Sequence, residues 1–131
     1  MQFSFTKEER LCSRKLIQEV YDTGKSFHSN GFRINWKQQA SIPFPAQVLL
    51  TVPKKLVKKA VHRNRIKRIM REVYRKHKHQ LYEQLTTGNK KIVFSMAYIG
   101  KEEPVYTEFE TKIILTLQRL FKEIEKNNYY R

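Results

Sequence analysis

Twelve Lys or Arg residues fall between Lys54 and Lys78, opposed by one acid, Glu72. On a wheel of about 100° per residue, His62, Ile66, Ile69, Met70, Val73, His77 and Leu81 gather on one side of a helix. Asn64, Lys67, Arg68, Arg71, Arg75 and Lys78 gather opposite. The period predicts a long helix from Lys59 to Leu81, with an apolar face for a core and a cationic face turned away from it. Like charges at i,i+3 and i,i+4 spacing repel by roughly a few tenths of a kcal/mol per pair, a cost that nearby phosphates reverse.

The rest of the composition points the same way. Lys and Arg total 27 against 12 acidic residues, a formal net charge of +15, well beyond what solubility requires. A solvated basic face is the ordinary reading of a charged helix, but so large a global excess favours a polyanionic partner. With 131 residues and 40% apolar content, the chain suits a single core. We expect one domain over residues 1–126 and a flexible tail over 127–131. No stretch approaches the roughly 18 apolar residues of a spanning helix, and Met1 to Arg10 does not read as a signal peptide. A membrane partner is therefore not expected. The single Cys12 cannot form an internal disulfide and has no nucleophile partner nearby, so a reducing cytoplasm is the expected compartment. One Cys and four His, without a Cys-x-x-Cys or His-x-x-x-His pair, argue against zinc.

Periodicity supplies the other elements. Leu11, Leu16, Ile17, Val20 and Tyr21 predict a first helix over 13–22, with Ser13 as N-cap and Gly24 as its stop. Phe32, Ile34 and Trp36 alternate with Arg33, Asn35 and Lys37, the mark of a half-buried strand, and Phe27 suits a preceding one. Pro43 and Pro45 interrupt the chain before the β-branched run Ala46 to Val52, so a loop is expected between two antiparallel strands. Thr86 to Asn89 closes the long helix, and Ile92 to Ile99 reads as a buried strand. Thr107 and Glu110 resemble a capping box ahead of Phe109, Ile113, Leu117, Leu120, Phe121 and Ile124 at helical spacing. The order α-β-β-β-α-β-α predicts an α+β fold, a single-sheet sandwich with helices.

Ala60-Val61-His62-Arg63-Asn64-Arg65-Ile66-Lys67-Arg68, preceded by Thr51-Val52-Pro53-Lys54-Lys55, resembles the signature of the bacterial ribonuclease P protein family. The resemblance runs from about Leu11 to about Glu125 and takes in Leu16 to Tyr21, Gly24-Lys25-Ser26 and the final helix. It implies the element order above, with a left-handed β-α-β crossover through the basic helix, against the usual right-handed rule. It also implies a protein subunit that assists a catalytic RNA in removing the 5′ leader from precursor tRNA. The bond cleavage would belong to the RNA and its magnesium ions, and the protein alone would bind no cofactor.

Carried over by position, Lys54, Lys55, Arg63, Asn64, Arg65, Lys67, Arg68, Arg71 and Arg75 are the expected RNA-binding residues. Ile17, Tyr21, Phe32, Asn35 and Trp36 are candidates for a cleft that holds the leader. A strand position often Tyr in the family aligns with either Asn35 or Trp36, and Val57-Lys58-Lys59 departs from the family's Gly-containing turn. Burial in the core is the competing reading for Phe32, Ile34 and Trp36. His62 and His77, on the apolar side, read as structural. Glu8-Glu9 and Glu102-Glu103 lie in polar segments, so no protein-borne catalytic or metal site is expected. A ribosomal or other structural RNA-binding protein would share the charge and size, and is the alternative. DNA is not an expected partner, because no positioning helix with a short turn precedes the basic helix.

Overall fold

The structure is a computed structural model that describes residues 5–129, with side chains described through residue 126. Its elements are α1 (Arg14–Thr23), β1 (Lys25–Ser29), β2 (Phe32–Gln38), β3 (Ala46–Thr51), α2 (Ala60–Thr87), β4 (Ile92–Tyr98) and α3 (Tyr106–Tyr129), after a 3-10 turn at Lys7–Glu9. This is the predicted order and the predicted α+β class.

The four strands form one mixed sheet in the order β1-β2-β4-β3. Asn30 and Gly31 carry φ of 52° and 85°, a two-residue turn that folds β1 against β2. Antiparallel pairing continues from β2 to β4, whereas β3 and β4 are parallel and joined through α2. The loop after β2 therefore links strands that are not neighbours. β4, an almost unbroken apolar run, takes the place between them because both of its faces are covered.

Alternation sorts the sheet residues between two cores. On one face Phe32, Ile34, Trp36, Val48, Phe94 and Met96 pack with Ile66, Met70 and Tyr74 of α2 and Phe109, Ile113 and Leu120 of α3. Each fully buried large side chain contributes about 1.5–3 kcal/mol. On the other face, Val93 and Leu49 pack with Leu11, Leu16, Ile17 and Val20 under α1. That second cover explains why β2 is more than half buried and why Asn35 is only 6% exposed.

The helix ends follow local chemistry. Ser13 Oγ accepts from the Leu16 N–H, as expected of the N-cap. α2 runs six residues past Leu81, ending where Asn89 turns left-handed and the Lys90 N–H returns to the Leu85 carbonyl. The expected cap at Thr107 is overturned: α3 begins at Tyr106, the Phe109 N–H donates to the Val105 carbonyl, and Glu110 meets His77 instead. The capping box occurs at Thr6, whose N–H and hydroxyl both donate to Glu9 Oε2. At the other end, α3 continues to Tyr129, into the segment read as a tail, and residues 130–131 lie outside the described residues.

Gly24 stops α1 for a different reason than a left-handed turn. Its φ is −76°, but a Cβ there would lie 2.3 Å from the Val20 carbonyl oxygen and 2.7 Å from that of Trp36. The close approach seats the end of α1 on β2. Gly24→Ala is expected to cost about 1–3 kcal/mol in urea unfolding by forcing these backbones apart; unchanged stability would show that α1 can lift without cost.

Candidate nucleic-acid interface

The 28 residues of α2 carry the interface because one side of the helix closes the main core and the other is left outside. Asn64, Arg68 and Arg71 are exposed, and Lys67 and Arg75 are half-buried beside them. Their wheel positions place all five on one ridge. Lys54 and Lys55 are exposed in the turn ahead of the helix.

Three of the expected cations are held by other parts of the chain. The Arg63 Nη1 donates to the Val57 carbonyl at 3.0 Å and the Lys58 carbonyl at 2.7 Å, tying α2 to the segment that follows the Lys54-Lys55 turn. Arg65 stands away from the ridge and pairs with Glu103 at 3.1 Å across the β4–α3 loop. Lys78, expected on the cationic face, is buried and ion-paired with Glu9.

The cleft candidates separate by strand parity. Ile17 is half-buried in the core under α1, and Tyr21 is 48% exposed one turn further along the same helix flank. Asn35 faces that side too, in register with Ser26 and Ser95. Phe32 and Trp36 do not: at 0% and 2% exposure they lie in the main core, on the opposite face of the sheet, with no ring surface for a base. Residues one apart on a strand point oppositely, so Asn35 and Trp36 cannot line one cleft. The face that holds Asn35 also exposes His28 and Arg33, paired with each other across the β1–β2 register. Both were missed from sequence, although the same alternation marks them. The Ser95 hydroxyl is buried on this face without a hydrogen-bond partner.

Acidic side chains do not converge. Glu9 meets Lys78, Glu19 meets Lys37, Glu72 meets Lys76, Glu103 meets Arg65 and Glu110 meets His77. Among the described residues no group of three or more His, Cys, Asp or Glu is placed to hold a metal. Nor is any helix among them long and apolar enough to cross a membrane.

A family model described as ribonuclease P matches residues 5–124, nearly the whole chain. The chain belongs to the ribonuclease P protein family. A ribonuclease P protein component of Porphyromonas gingivalis is 30% identical over 120 residues, covering 90% of this chain and 87% of its own. One from Chlorobium phaeobacteroides is 36% identical over 106 residues, covering 74% and 73%. The solved ribonuclease P protein of Staphylococcus aureus superposes with a TM-score of 0.64 at 23% identity over 86% of this chain and 97% of its own, a likeness of fold. The chain is thus a protein component of ribonuclease P, an endoribonuclease acting on precursor tRNA, and its partner is the RNA subunit. The ribosomal alternative is not favoured.

Proposed function

We propose that the α2 ridge grips the catalytic RNA while the sheet face beside α1 receives the single-stranded 5′ leader of precursor tRNA, in the cytoplasm. The observation that carries this reading is the ridge itself: Asn64, Lys67, Arg68 and Arg71 stand together outside the core. Guanidinium groups fork phosphate oxygens, and Asn can bond a base edge or a 2′-hydroxyl. The exposed Tyr21, with Arg33 and His28 across the sheet, supplies the mixture of ring and cation that suits a single strand.

The carboxylates of Glu9, Glu19, Glu72, Glu103 and Glu110 each face a basic partner, so this reading gives them no part in the hydrolysis. Magnesium bound by the RNA supplies the hydrolytic chemistry. The chain's own residues bind, orient and neutralise phosphate.

Replacing Lys67, Arg68 and Arg71 together by Ala tests the ridge. Each phosphate left without its cation should reduce the slope of log affinity against log salt by about 0.7–0.9, so the triple variant should fall by roughly 2–3. Circular dichroism should be unchanged. A wild-type slope in a folded triple variant would remove the ridge from the RNA interface.

A further inference from the structure

The segment Thr6 to Leu11 lies along the edge of β3 as a strap. Arg10 makes a parallel bridge with Val48, the Leu11 N–H donates to the Val48 carbonyl at 2.9 Å, and Gln47 Nε2 donates to the Glu8 carbonyl at 2.8 Å. Its other anchor reaches α2. Glu9 Oε1 accepts from Lys78 Nζ and, at 2.8 Å, from the Tyr82 hydroxyl.

Further anchorage comes from Phe5. Its ring meets Tyr74 edge-on at 5.5 Å, with Lys78 Nζ at 5.9 Å and the Arg10 guanidinium carbon at 5.4 Å from its centroid. Lys78 follows Arg71 by two turns of α2, so it lies within about 20° of Arg71 and Lys67 on the wheel. Arg10 is exposed, with its guanidinium over the same Phe5 ring that Lys78 approaches. A guanidinium already oriented by a ring and a strand bridge loses less freedom when it binds phosphate than one on a free stem.

We propose that the N-terminal strap is a second RNA-contacting element, fastened to α2 by the Glu9–Lys78 pair so that Arg10 continues the cationic ridge as a phosphate contact. The inference rests on the ridge reading above and extends it beyond α2. Glu8 is exposed on the same turn and offsets part of the strap's charge. The oriented Arg10 guanidinium, and not the net charge of the strap, therefore makes the contact.

Arg119, which pairs with Glu123 at 3.4 Å, is a control for exposed positive charge away from the ridge. It is also exposed and also sits over a phenylalanine, 5.1 Å from the Phe27 centroid, but Phe27 belongs to β1 at the opposite edge of the sheet. Binding to the cognate ribonuclease P RNA should be measured across salt concentrations for Arg10→Ala, Arg68→Ala and Arg119→Ala, with urea unfolding alongside. Arg10→Ala and Arg68→Ala should each lower the salt slope by about 0.7–0.9, and Arg119→Ala should leave it unchanged. A normal slope for folded Arg10→Ala with a reduced one for Arg68→Ala would overturn the strap proposal and leave the ridge standing. Normal slopes for both would overturn the two together, and a reduced slope for Arg119→Ala would reduce Arg10 to one charge among many.

Discussion

Lys78→Met should destabilise the protein by about 3–5 kcal/mol at neutral pH, because it strands the Glu9 carboxylate without its counter-charge. The Lys78 and Glu9 side chains are 4% and 3% exposed. Burial by itself pushes the Glu9 carboxyl up, but hydrogen bonds from Lys78, the Thr6 backbone, Tyr82 and the Thr6 hydroxyl outweigh it and hold the group below its ordinary 4.5. A group whose folded pKa is depressed adds stability above its unfolded pKa and loses it as pH falls through the folded value. In the wild type this contribution should fade on acidification below about pH 4.5. In Lys78→Met burial is opposed only by the Thr6 and Tyr82 hydrogen bonds, so acidification should relieve part of the penalty. Adding Glu9→Gln should recover much of the deficit at neutral pH, since a neutral pair leaves no buried charge. Urea unfolding at several pH values checks all of this, and a single variant as stable as the wild type at pH 7 would contradict it.

How much of this was legible in the sequence depended on the range of the interaction. The period of α2 and the apolar run of β4 depend on neighbours within a few residues, and both elements form at the expected places, α2 running on to Thr87. The sheet order does not: nothing local in β2 or β3 says that β4 will come between them. The partnership of Glu9 and Lys78 spans 69 positions, so Lys78 read as one more cation on a charged face. Arg63 and Arg65 matched the family motif by type and spacing, yet their orientation depends on the Val57 and Lys58 carbonyls and on Glu103.

The cleft shows a different limit. Phe32 and Trp36 were drawn toward the leader by family position, while their own alternation with Arg33 and Asn35 already placed them on the opposite face. A positional match carries a residue's place in the chain but not its side of the sheet. Strand parity sets the two buried rings on the main-core side and puts the exposed His28 and Arg33 on the face of Asn35, which is itself buried.

The largest functional effect should come from the leader. If a few leader nucleotides each gain roughly 1 kcal/mol from stacking and phosphate binding, precursor should bind more tightly than mature tRNA by about one to three powers of ten. The preference should shrink as the leader shortens. The protein reconstituted with its catalytic RNA should therefore be assayed by single-turnover cleavage and by affinity on precursors with stepwise trimmed leaders, beside a protein-only control. The account predicts no cleavage by the protein alone and an enhancement that declines with each nucleotide removed from the region it covers; cleavage without the RNA, or an enhancement indifferent to leader length, would contradict it.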